Sequence, residues 1–155
     1  MLTKTVMNPD VITVRDDMTV QEVAAFLIEN QISGAPVEDG EGRLVGVVSY
    51  TDIARAASDP GALEPPPAEP EFFTRGWEEA PFSNEEMRGM HASMGLTVAD
   101  IMTPKLHMIR EEATVSEAAR LMLDAHIHRL LITQDHKVVG ILTTFDLLKL
   151  LVEEA

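Results

Sequence analysis

The chain has 155 residues, and 26 Asp and Glu against 12 Lys and Arg give it a formal net charge of −14. That field repels nucleic acid and anionic lipid, so neither is expected as a partner, and a small anion can bind only where local donors outweigh it. Cysteine is absent, which excludes disulfides, thiolate nucleophiles and zinc ribbons, while a hydrophobic content of 45% fits one compact domain or two closely packed halves.

The opening "MLTKTVMNPDV" holds no apolar signal core, and no run approaches the roughly 18 apolar residues of a membrane span. The expectation is a soluble, cytoplasmic protein. A short extended run then leads into "TVQE" at 19–22, a capping box in which a Thr oxygen takes a free helix N–H and a Glu reaches back. The helix behind it sets Val20, Val23, Ala24, Leu27 and Ile28 on one face. "APVE" reads as a strand and "DGEG" as a turn. "LVGVV" is β-branched like a buried strand, and a closing helix begins at Ser49.

Residues 58–95 change character. "SDPGALEPPPAEPE" is acidic and proline-rich, and is expected to be extended or disordered. Phe72, Phe73, Trp77 and Phe82 follow, and a solvated linker has little use for aromatics, so this part is expected to pack on the folded body. "SNEEM" offers another capping box, Ser83 to Glu86, and with it a short helix near 84–91.

After residue 95 the first pattern returns. "TVSE" at 114–117 caps a helix whose apolar face is Val115, Ala118, Ala119, Met122 and Leu123. "LLIT", the turn "QDHK", "VVGIL" and a helix from Thr143 follow. Laid over one another with a single deletion near Gly42, residues 6–56 and 101–150 are identical at eleven of fifty pairs. The chain is a duplication, each copy running strand, helix, strand, strand, helix.

The copies close on "GVVSYTDI" at 46–53 and "GILTTFDL" at 140–147. A lone G-h-h-[ST]-x-x-D is weak, because any capped helix after a strand can match it. Two copies behind the same element order resemble a pair of CBS domains forming a Bateman module, over residues 2–57 and 96–155. The resemblance implies an α+β fold of two tandem repeats packed about a pseudo-twofold axis through their sheets. It implies a sensor rather than an enzyme, with no required cofactor, that takes AMP, ADP, ATP or S-adenosylmethionine in the cleft between the repeats. It also implies a regulated protein partner, whose identity the sequence does not carry, and homodimers in which four repeats make a flat disc.

Physical reasoning stands beside that resemblance. Asp52 and Asp146 sit in the first turn of a helix, and a carboxylate there can accept bonds from the vicinal hydroxyls of a ribose. Ser49 and Thr143 can donate to a phosphate or ribose oxygen. The same pairs equally fit an N-cap and its third-position acid, which needs no ligand. The two roles are compatible.

The copies part company where the first reads "QISGAPV" and the second "HIHRLLI". His128 and Arg129 form a donor pair, and Arg offers a planar fork to phosphate oxygens. In nucleotide-binding relatives a His-Arg pair here holds phosphates, and the adenine lies at positions matching Thr13, Met18, Ile32 and Ser33. The favoured site therefore joins these four to His128, Arg129, Thr143 and Asp146. A second, weaker site would use Ser49 and Asp52, walled by Met108, Ala113, Ile127 and His128, but it has uncharged Gly34-Ala35 at the phosphate position.

Other readings compete. His126 and His128, at i, i+2 on an extended segment, would share a face, and His107 could join them on a metal; no metal site is expected. His91 and His136 read as linker and turn residues, and the nine Met as core filler. No G-x-x-x-x-G-K-[ST] loop, G-x-S-x-G elbow or H-E-x-x-H is present, so catalysis is not expected. The alternative function is a structural dimerisation module with a vestigial cleft.

Overall fold

The structure is a computed structural model that describes residues 1–58, 71–74 and 95–154. Its elements are α1 (Thr3–Val6), β1 (Val14–Arg15), α2 (Val20–Glu29), β2 (Gly34–Glu38), β3 (Leu44–Ser49), α3 (Tyr50–Ser58) and α4 (Glu71–Thr74). After these come α5 (Val98–Ile101), β4 (Met108–Arg110), α6 (Val115–Ala125), β5 (Arg129–Gln134), β6 (Lys137–Thr143) and α7 (Thr144–Glu154). The expected order of strand, helix, strand, strand, helix is present twice. Two helical turns, α1 and α5, stand before the copies and were not expected. The linker helix near 84–91, with Trp77, Phe82 and His91, lies outside the described residues.

The chain forms two compact units. One holds β1, β2 and β3 in that order, β1 parallel and β3 antiparallel to β2. Its core is continuous: Val14, Val20, Val23, Ala24, Leu27, Ala35, Val37, Val48, Ile53, Ala56, Val98 and Ile101. Burying each large side chain of this kind stabilises the fold by about 1.5–3 kcal/mol. Here α2 lays the expected face on the sheet, although Ile28 is half-buried.

The other unit repeats the sheet with β4, β5 and β6, and buries Leu130, Leu131, Ile132, Leu142, Ala118, Met122 and Ile127. Leu123 corrects the expected face, since it is 74% exposed within this structure. The hairpins differ as their sequences require. Asp135 and His136 both take positive φ, as a two-residue turn of the primed type demands, and Gln134 pairs with Lys137 across them. The first copy instead turns on Asp39, whose Oδ1 accepts the N–H groups of Glu41 and Arg43, with Gly42 at φ 80°. The extra residue near Gly42 is accommodated in this longer turn.

Each unit takes its leading helix from the other copy of the repeat. The unit built on β4–β6 includes residues 1–11, where buried Thr3 donates its N–H to the Ala113 carbonyl and its hydroxyl to those of Arg110 and Glu111. In the unit built on β1–β3, α5 hands the N–H of Val98 to the Met18 carbonyl. Behind each leading helix the chain crosses the last strand, as isolated bridges Asn8–Ile141 and Val47–Thr103. The glycine of each repeated phrase makes room for that crossing. A Cβ on Gly46 would lie 2.9 Å from the Thr103 carbonyl oxygen, and one on Gly140 would overlap the Met7 side chain.

Capping follows the sequence with one exception. Thr114 and Glu117 make both bonds of the box, whereas at Thr19 the hydroxyl accepts the Glu22 N–H and the Glu22 carboxylate does not return the bond. The expected packing of the aromatic segment holds for its described part. Phe72 is buried in the β1–β3 unit, 3.2 Å from where a Gly34 Cβ would stand. Phe73 is buried in the β4–β6 unit, with the His107 ring edge-on to it at 5.0 Å.

Candidate functional site

In the β4–β6 unit the antiparallel ladder sets Arg129 directly opposite Thr143. His128 precedes the strand, exposed; its carbonyl accepts the Thr144 N–H at 3.0 Å and its N–H donates to the Phe73 carbonyl at 2.8 Å. At the start of α7 the Thr143 N–H and hydroxyl both donate to Asp146 Oδ2, at 2.9 and 3.0 Å, and the Thr143 hydroxyl accepts the Asp146 N–H at 3.2 Å. Asp146 is half-buried, and its Oδ1 has no hydrogen-bond partner among the described residues. Lys149, one turn further, lies over the Phe145 ring at 5.3 Å rather than on the carboxylate. The unit therefore brings His128, Arg129, Thr143 and Asp146 together at one sheet end, with a carboxylate oxygen open.

Three further expected residues fall in the same unit. Met108 opens β4 and is 48% exposed, Ala113 is half-buried in the turn before α6, and Ile127 is buried in the core. The shared face expected for His126 and His128 does not form. His126 ends α6 in the left-handed region, at φ 55°, and the strand begins only at Arg129. Among the described residues no three His, Asp or Glu are grouped to hold a metal ion. A groove of about 580 Å³ lies elsewhere in this unit, between Met1, Thr114–Ser116, Ala119 and Leu147, Leu150 and Leu151, and includes none of the expected site residues.

The β1–β3 unit holds Thr13, Met18, Ile32 and Ser33, all half-buried. Met18 and Ile32 pack against its core, and the Ser33 carbonyl accepts the Tyr50 N–H at 2.9 Å, the counterpart of His128 with Thr144. Ser49 and Asp52 repeat the cap, with the Ser49 N–H on Asp52 Oδ2 at 2.9 Å and its hydroxyl on the same oxygen at 3.3 Å. The other oxygen differs from its counterpart. Oδ1 accepts Arg55 Nη2 at 3.0 Å and the Thr103 hydroxyl at 3.4 Å. Asp52 is 5% exposed, and burial pushes its carboxyl above the ordinary 3.8, while the Ser49 N–H, Arg55 and the Ser49 and Thr103 hydroxyls pull it back. Arg55 Nε is itself buried without a partner among the described residues, so the ion pair is single-pronged. Arg55 was visible in sequence as a cation three residues past an acid on a helix. Thr103 carries no such signal, being 51 residues away.

Among the described residues, no helix is long and apolar enough to cross a membrane. The CBS domain family model matches residues 4–59 and 98–153, the two copies of the duplicated unit. An uncharacterised protein of Methanocaldococcus jannaschii is 29% identical over 157 residues, spanning 98% of this chain and 92% of that one. The chloroplastic CBS domain-containing protein CBSX1 of Arabidopsis thaliana is 31% identical over 135 residues. That match takes in 86% of this chain and 56% of the relative, so the chain spans little more than half of CBSX1. The solved structure of Arabidopsis CBSX2 in complex with AMP superposes with a TM-score of 0.67, at 26% identity, over 99% of this chain and 97% of that one. With both copies matched over most of its length, the chain belongs to the CBS domain family, as a tandem pair of CBS repeats.

Proposed function

We propose that this chain is a regulatory module that senses an adenosyl ligand, AMP, ADP, ATP or S-adenosylmethionine, and passes its occupancy to a protein partner. One observation carries the reading. Among the described residues nothing bonds one carboxylate oxygen of Asp146 while Thr143 holds the other, and Arg129 stands opposite Thr143 in the ladder. A ribose diol needs such an acceptor, and a phosphate needs such a cation nearby. The AMP carried by the related CBSX2 supports the choice of ligand class. In this reading Asp146 takes the ribose hydroxyls, and His128 and Arg129 take phosphate oxygens. The chain's own groups bind and orient; no residue is assigned a catalytic step.

A structural dimerisation module is the second reading, favoured by α7. Phe145, Leu148, Leu151 and Val152 on that helix are 43–77% exposed, more apolar surface than a solvated helix end requires. A homodimer through this face is compatible with ligand sensing as well.

Thermal unfolding with AMP, ADP, ATP, S-adenosylmethionine and buffer alone separates the readings. A ligand at a hundred times its dissociation constant should stabilise the fold by about 2.7 kcal/mol, or roughly 5–10 °C for a chain of this size. No rise with any of the four would leave the dimerisation reading.

A further inference from the structure

The two caps are built alike and finished differently. An ionised carboxylate has about four lone-pair directions for donors. On Asp52 all four are taken, two on each oxygen: Ser49 N–H and hydroxyl on Oδ2, Arg55 and Thr103 on Oδ1. On Asp146 two donors share Oδ2, and none among the described residues reaches Oδ1. The residues matching Arg55 and Thr103 in the repeat are Lys149 and Asn8. Lys149 lies over Phe145, and Asn8, whose Oδ1 accepts the Asp10 N–H at 3.0 Å, makes no bond to Asp146 among the described residues. Neither completes the Asp146 cap.

We infer that Arg55 and Thr103 act as an internal ligand for Asp52, closing the first repeat's carboxylate to ribose, so that the chain takes one adenosyl ligand rather than two. The clause on stoichiometry rests on the function proposed above; the clamp itself does not. Burial sharpens it. For a diol to reach Asp52, the Arg55 guanidinium and the Thr103 hydroxyl would have to leave an enclosed carboxylate, exposing a charge that has little water around it. Thr103 also belongs to the segment that crosses β3 at Val47, so the clamp ties the segment behind α5 to the start of α3. Its role is positioning, and it acts without touching a ligand.

The test uses the full chain, with AMP as the probe in titration calorimetry and thermal unfolding as an independent readout. Wild type should bind one AMP per chain. Arg55→Gln and Thr103→Val should each keep the first AMP with affinity within about twofold. The double variant, with Asp52 Oδ1 freed, should admit a second, weaker AMP, and a double variant that still stops at one overturns the clause on stoichiometry. The melting temperatures of the two single variants should fall by about 6 °C and about 3 °C, because the first leaves a buried carboxylate without its cation and the second removes one bond to it. Asp146→Asn should abolish AMP binding and melt within about 2 °C of wild type. Two AMP per chain in wild type, or loss of an equivalent in Arg55→Gln, overturns the inference, as do melting temperatures unchanged in both clamp variants. If AMP gives no heat at all, the ligand reading fails for AMP, while the two melting shifts still decide for or against the clamp.

Discussion

Residues 46–53 and 140–147 fold the same way and meet different neighbours. Each runs from a strand glycine under a crossing backbone, through a hydroxyl residue at the strand end, to an acid that takes that residue's N–H at 2.9 Å. The difference lies on the outer oxygen of the acid. In the first copy it meets Arg55 and Thr103; in the second it meets no described residue. One oxygen caps in both copies, and a single tertiary donor plus one helix neighbour decide whether the other remains available.

The largest effect is expected from the cores. Leu27→Ala should cost about 3 kcal/mol, and its repeat counterpart Met122→Ala about 2 kcal/mol, since both side chains are buried but methionine's neighbours are adapted to a softer shape. Urea unfolding reads both. Gly46→Ala should follow at about 2 kcal/mol, because its new Cβ meets the Thr103 backbone and displaces the residue that closes the clamp. Gly140→Ala should cost about half as much, since the obstacle is the unbranched Met7 side chain.

Caps come next. Thr114→Ala should cost about 1 kcal/mol and Glu117→Ala a few tenths, as both bonds of that box are made. Thr19→Ala should cost less than Thr114→Ala, and Glu22→Ala nothing measurable, because the Glu22 carboxylate makes no capping bond. Equal losses from Glu22→Ala and Glu117→Ala would contradict the described asymmetry.

The smallest effect is in the pH profile, where Asp52 and Asp39 pull in opposite senses. Asp52 has a native value raised by burial, so its contribution is full below 3.8 and fades as pH rises through the raised value. Asp39 is held below 3.8, first by the Arg43 N–H and then by that of Glu41, so its contribution is present above 3.8 and lost as pH falls through the lowered value. Stability measured across the carboxylate range should therefore rise more steeply with pH in Asp52→Asn than in wild type, and less steeply in Asp39→Asn. Unchanged slopes would count against both assignments.

The parts of this molecule legible in sequence are those governed by neighbours a few residues away. The five-element order of each copy, the N-caps at Thr19 and Thr114, and the acids at Asp52 and Asp146 all follow from periodicity and spacing. Elsewhere distant chain segments decide: no local pattern places Thr3 beside Ala113 or Thr103 on Asp52, and α1 and α5 are isolated turns too short for a periodic signal. His126 differs from its expected extended geometry for a local reason, since a helix-ending residue in the left-handed region reads as extended from sequence alone. Periodicity sets Leu123 on the apolar stripe of its helix, and such a stripe does not report what covers it.

The central claim is that recognition runs through Asp146 and bypasses Asp52. Following both side-chain carboxyl carbons by NMR while AMP is added to the wild-type chain tests it most directly. The carbon of Asp146 should shift and saturate with the bound fraction, while that of Asp52, held by Ser49, Arg55 and Thr103, stays in place. Saturation by AMP with Asp52 moving, or with Asp146 still, would contradict the account.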